Sequence, residues 1–164
     1  MNEPKKLIDT PSQTAGPFLH IGCAPRITGL NIFKIELGLT PFQDISDNEA
    51  INIKGKIYDG NDEPIIDAMI ETWQCDANGN YSCNQGFARI VTDFKTGEYQ
   101  LKTIRPGNKI NTGGSLSASY ITFWIVARGM NRPLITRMYF LENDLKNDLI
   151  LNSIKIEDRL NTLI

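Results

Sequence analysis

A single histidine, His20, stands among the 164 residues. Three-His zinc sites, two-His zincins and the two-His-one-carboxylate iron triad therefore cannot be assembled within this chain. Chemistry of that kind needs imidazoles from a second polypeptide. As the base of a nucleophilic pair, His20 would need a serine or cysteine placed against it, and Ser12 and Cys23 are near it only in sequence. An interface or packing hydrogen bond is the expectation for it. Cys75 and Cys83 lie eight residues apart with no CxxC and no histidine nearby, so they read as packing or surface thiols rather than zinc ligands. Asp76, Asn78 and Asn80 alternate as the start of a calcium loop would. The sixth position, where such a loop needs glycine, is Tyr81, and the twelfth, where it needs an acid, is Phe87.

The elements that must position these residues are short strands. A composition of 41% hydrophobic and 22% charged residues fits one soluble globular domain. The formal charge of −2, from 17 Lys plus Arg against 19 Asp plus Glu, shows no basic stripe and argues against a nucleic-acid partner. No segment reaches the roughly 18 apolar residues of a membrane span, and the two lysines near Met1 are not followed by the apolar run of a signal peptide. A cytoplasmic protein with its three cysteines as free thiols is expected, and no membrane partner. Residues 1–47 read as an N-terminal arm and linker, because Pro11, Gly16 and Pro17 deny the arm a helix. Residues 48–164 read as one antiparallel β-sandwich, with strands expected over 51–58, 68–74, 87–92, 98–104, 120–127 and 134–140. Asp93 to Gly97 reads as a hairpin-like turn, Arg105 to Ser117 as a long Gly- and Asn-rich loop, and the tail from Asn143 as one or two helical turns. On these grounds alone function stops at an all-β domain, since a sandwich hosts enzymes and binding modules alike.

Several blocks, in order, carry more. The arm Thr10-Pro-Ser-Gln-Thr-Ala-Gly-Pro-Phe-Leu-His-Ile-Gly22 is followed by Gly55-Lys-Ile-Tyr-Asp-Gly60 and by Asp67-Ala-Met-Ile-Glu-Thr-Trp-Gln-Cys-Asp-Ala-Asn-Gly-Asn-Tyr81. Phe87-Ala-Arg89, Thr103-Ile-Arg-Pro-Gly107, Ala127-Arg-Gly129 and Thr136-Arg-Met-Tyr-Phe140 complete the series. From about Thr10 to Phe140 the chain resembles the intradiol ring-cleavage dioxygenases, and within them the α-type subunits of the heteromeric enzymes that cleave protocatechuate.

That resemblance implies a sandwich of the intradiol dioxygenase type. It also implies a ferric centre, Fe(III), held by two tyrosinates and two imidazoles in the partner β subunit, where an aromatic substrate and O2 meet. Of the four matching ligand positions here, Tyr81 alone keeps its type; the others read Lys109, Tyr120 and Thr122. Tyr81 and Tyr120 together would be a rebuilt site, but Tyr120 opens an apolar strand and reads more simply as a packing residue with its hydroxyl at the edge. The resemblance gives Thr14, Gly16, Pro17 and Arg128 a role lining the neighbouring β subunit's substrate pocket, with no complete catalytic set in this chain. The plainer alternatives are a turn for Gly16-Pro17 and a surface ion pair at a strand end for Arg128. It also places a histidine in the arm, as His20 is here. Trp73 and Trp124 read as core or subunit-interface anchors. The family's α-type chains continue past the stretch resembling Arg159 to Ile164, so C-terminal strands of the sandwich are expected to be missing. A free-standing binding module and an autonomous dioxygenase with altered ligands remain the other readings.

Overall fold

The computed structural model describes the chain except residues 1–7, 9, 12, 17, 36–37, 111–113, 115 and 142–144. Two short helical turns come first, α1 (Leu19–Cys23) and a 3-10 turn, Pro25–Thr28. The first 47 residues are therefore less uniformly irregular than the sequence suggests. Pro25 opens the 3-10 turn where its missing N–H is no loss, and Gly29, at φ 83°, stops it. Strands follow: β1 (Ala50–Lys56), β2 (Met69–Trp73), β3 (Phe87–Val91), β4 (Glu98–Ile104), β5 (Lys109–Ile110), β6 (Leu116–Ser117), β7 (Tyr120–Val126) and β8 (Leu134–Tyr139). The tail holds a 3-10 turn, Leu145–Asn147, and the short helices α2 (Leu149–Ser153) and α3 (Glu157–Asn161), one turn more than expected.

The strands form an antiparallel four-stranded sheet, β3-β2-β7-β8, a β1-β4 pair and a small β5-β6 pair. Period two assigns the faces. In β7, Ile121, Phe123 and Ile125 are buried, while Tyr120, Thr122, Trp124 and Val126 point the other way and are half-buried. The inward set joins Ala68, Ile70 and Ala127 in one core, against which Ile53 of β1 and Tyr99 of β4 pack. Two layers thus close on each other, each large core side chain contributing about 1.5–3 kcal/mol. A second cluster, Ala118, Tyr139 and Leu151, seats the tail near the end of β8. Asp148 fixes that tail: its buried carboxylate accepts from the Ile150, Leu151 and Ala118 amides.

The turn Asp93 to Gly97 is not a hairpin. β3 pairs with β2 and β4 pairs with β1, so the turn carries the chain from one sheet to the other. Asp93 Oδ1 accepts from the Lys95 and Thr96 amides and Gly97 takes φ 68°. This Asx turn reverses the chain without requiring the flanking strands to pair. The loop 105–117 likewise is not all irregular, since Lys109 pairs with Ser117 and Ile110 with Leu116.

Candidate functional site

The outward residues of β7 meet a loop that two glycines hold in place. Asp76 Oδ1 accepts from the Asn78 and Asn80 amides and closes the turn after β2. Gly107 donates to Asp76 O at 2.8 Å, and a Cβ at Gly107 would collide with the Ala77 carbonyl. Gly79, at φ 82°, faces Asn108 with no room for a side chain. This close docking brings Lys109 over Tyr81, its Nζ 5.0 Å from the ring centroid. The Tyr81 hydroxyl donates to that of Tyr120 at 3.2 Å. Arg137 of β8 stacks on Tyr120 at 4.1 Å and donates to the Tyr139 hydroxyl at 3.2 Å. Trp73 also stacks with Tyr81, ring centroids 6.2 Å apart. Thr122 stands opposite Arg137 and Trp73 in the β7 ladders, on the same face as Tyr120.

Three of the four positions singled out in the sequence, Tyr81, Lys109 and Tyr120, are therefore in contact as one stack, and Thr122 shares their face. Their chemistry does not fit a ferric ion. Beside the two phenols the set offers a lysine cation and a neutral threonine hydroxyl, with no imidazole and no carboxylate, and the Tyr81 hydroxyl is spent on Tyr120. Each phenol also carries a cation on its ring, and a like charge at such distances opposes a trivalent metal. Among the described residues no group of three or more His, Cys, Asp or Glu is placed to hold a metal.

The arm residues lie elsewhere, at the end of β7 beyond Val126. Thr14 Oγ1 accepts from the Gly129 amide at 2.6 Å, tying the arm to the residue after Arg128. Gly16 is exposed, with open space where a Cβ would stand; Pro17 lies outside the described residues. Arg128 donates to Asp67 in an ion pair whose carboxylate is mostly buried and whose guanidinium side is 62% exposed. His20 is buried, edge-on to Phe94 at 5.4 Å. Burial holds its imidazole below the ordinary value, against the pull of the Asp67 charge. Trp73 is an outer-face residue, 37% exposed, not a core one.

Sequence reasoning missed Arg137, Asp67 and the Glu71–Arg89 pair. Arg89 Nε and Nη2 reach Glu71 Oε1 at 2.8 and 2.6 Å, and Nη1 reaches the Cys23 carbonyl at 3.1 Å. A signal existed for this last pair, since Glu71 and Arg89 both fall on outward positions of strands with opposite charge.

Comparison with known proteins places the fold and the sequence in one family. A family model described as Dioxygenase matches residues 36–162. The protocatechuate 3,4-dioxygenase α chain of Pseudomonas putida is 37% identical, the match covering 96% of this chain and 83% of that one. The α chain of Burkholderia cepacia is 28% identical over 93% of this chain and 81% of that one. A β chain of the same enzyme from Burkholderia cepacia is 28% identical over 56% of this chain and 45% of its own length. Among solved structures, catechol 1,2-dioxygenase from Pseudomonas arvilla C-1 superposes with a TM-score of 0.58 at 20% identity. That superposition covers 65% of this chain but 40% of the enzyme's length, and it bears on the fold alone. A family model matched over most of the chain and an α-chain relative 37% identical over nearly its whole length agree: the chain belongs to the intradiol dioxygenase family.

Proposed function

We propose that this chain is the α-type, non-iron subunit of a heteromeric protocatechuate 3,4-dioxygenase. The β-type subunit holds Fe(III) and opens the aromatic ring between its two hydroxylated carbons with O2, giving 3-carboxy-cis,cis-muconate. The observation that carries this reading is the stack at the family's ligand positions. Lys109 and Arg137 cover the two phenols of Tyr81 and Tyr120, in a chain that otherwise follows an α chain over nearly its whole length. In this reading the chain supplies shape and charge to its partner's site. Residues 1–47 form the arm that reaches the partner and 48–164 the sandwich that carries it. Thr14, Gly16, Pro17 and Arg128 border the substrate pocket: glycine and proline give a fixed backbone without bulk, and the guanidinium suits the carboxylate of protocatechuate. The complex works in the cytoplasm, where the aromatic acid and O2 are available.

The test is co-expression with a β-type chain carrying the full Tyr, Tyr, His-x-His set. The complex is expected to be red-brown from tyrosinate-to-iron charge transfer, to hold one iron per pair of chains and to cleave protocatechuate. A colourless complex of verified stoichiometry sinks the proposal. So does this chain alone binding ferric ion and cleaving a catechol, which would make it an autonomous dioxygenase.

A further inference from the structure

Where the arm meets the end of β7, a buried polar atom stands beside an ion pair. His20 is 6% exposed, and its Nε2 has no hydrogen-bond partner among the described residues. With Asp67 and Arg128 it lines a cleft of about 230 Å³, several times the roughly 30 Å³ share of one water molecule. Asp67, before β2, and Arg128, after β7, are the charged groups that share this cleft with the imidazole. Thr28 of the arm, Ile66 and Phe94 of the sheet-to-sheet corner complete the walls and carry no charge. Asp67 is the fixed member of the ion pair, its side chain 16% exposed, and Arg128 the one free to leave, at 62%. The next residue, Gly129, is fastened to the arm through Thr14.

We propose that His20 is a positioning residue for Arg128: neutral, it leaves the Asp67 carboxylate to the guanidinium and keeps the arm closed on Gly129; protonated, it takes Asp67 for itself and releases Arg128. A protonated imidazole and the guanidinium repel each other across the one carboxylate, and Arg128, the exposed member, is the one that can turn to water. The unpaired Nε2 is what such a role requires, because a nitrogen already bonded would have no capacity to engage a new partner. Burial lowers the imidazole's proton affinity, the Asp67 charge raises it, Arg128 lowers it and a hydrogen bond to the Asp67 backbone raises it; the balance lies below the ordinary value, so the exchange falls on the acid side of histidine's range. The consequence for substrate rests on the reading that Arg128 borders the shared pocket; the consequence for the arm does not.

Both are read on the complex with its iron-bearing partner, with protocatechuate as the probe. Between pH 7 and pH 5 the KM is expected to rise about five- to tenfold with a smaller change in kcat. His20→Gln, which cannot take the proton, is expected to flatten that rise. Asp67→Asn is expected to give the high KM at every pH. Hydrogen exchange of the arm peptide around Thr14 to Cys23, corrected for the intrinsic pH dependence, is expected to lose protection at pH 5 in the parent complex and to keep it in His20→Gln. An acid limb and an arm exchange unchanged by His20→Gln overturn the inference, whatever Arg128 does. If instead Arg128→Gln leaves KM unaltered while arm exchange still follows His20, the coupling stands and the pocket-lining role of Arg128 falls.

Discussion

At Tyr81 and Tyr120 a hydrogen bond between two phenols does what a metal cannot share: it needs a proton on Tyr81. Burial raises the proton affinity of Tyr81, and burial does the same for Tyr99 and Tyr139. In the unfolded chain these phenols ionise at their ordinary value of about 10, while in the folded chain they still hold their protons there. The unfolded state therefore binds fewer protons above that pH. The stability these groups contribute is whole below about pH 10 and is lost as pH climbs further. Ultraviolet titration of the native chain should find Tyr81, Tyr99 and Tyr139 resisting ionisation at pH values where free tyrosine is half ionised. Tyr81, Tyr99 and Tyr139 ionising like free tyrosine would contradict the packing described. Tyr81→Phe should remove one of the three and cost about 1 kcal/mol in denaturant unfolding, the net worth of one hydrogen bond. Tyr81, Lys109 and Tyr120 were singled out in the sequence through the family resemblance, and the structure brings them into one stack. Arg137 was not, because it joins them only through the β7–β8 register, in which it faces Thr122 and lies over the ring two residues away.

Strand β3 acts as the clamp between the arm and the sheet, and one residue carries most of that duty. Arg89 forks onto Glu71 of β2, reaches the Cys23 carbonyl at the end of α1, and donates its own amide to Gly38 O at 2.9 Å. Both charged side chains are about three-quarters buried, so removing one leaves the other poorly solvated. Arg89→Ala should cost about 1–3 kcal/mol, less than a fully buried pair because water still reaches both ends. The loss should show first as faster proteolysis between residues 19 and 38, with strand signals intact. Arg89→Lys should fall between, since an ammonium cannot keep the two-pronged geometry. Uniform loss of arm and sheet together would contradict a clamp. Strands whose faces alternate were legible to within a residue or two: β4 runs from Glu98 to Ile104 as its pattern indicates, and β7 loses only Ala127. The route between β3 and β4 was not. Asp93 to Gly97 has the chemistry of a tight turn whether its flanking strands pair or part, and the partners that decide it, β2 and β1, lie far away in sequence.

For the molecule as a whole, the two layers are unequal, and much apolar surface lies outside them. Ile32, Phe33, Ile35 and Leu39 of the arm are all about half exposed or more, Ile35 at 82%, and Leu134 and Ile135 at the start of β8 are exposed as well. Singly such residues are ordinary, but four within eight positions of one segment make a patch that water penalises continuously. The same segment hangs on the sheet through Arg89 and Gly38, so it cannot fold inward to hide the patch without giving up the clamp. Covering it takes apolar surface that the described residues do not supply. The chain purified alone should therefore self-associate, with a light-scattering mass that grows with concentration. Adding a β-type chain should replace that drift by one species and raise the unfolding temperature as the β-chain concentration rises, because whatever binds only the folded form stabilises it by mass action. Polar replacements at Phe33 and Ile35 separate the two effects. They should cut self-association of the lone chain and weaken partner binding together if the arm is the shared surface, and cut self-association alone if the partner sits elsewhere. A lone chain that stays monomeric at high concentration, with one sharp unfolding transition that concentration does not move, would show that the patch needs no cover and would remove the physical reason for placing the partner on the arm.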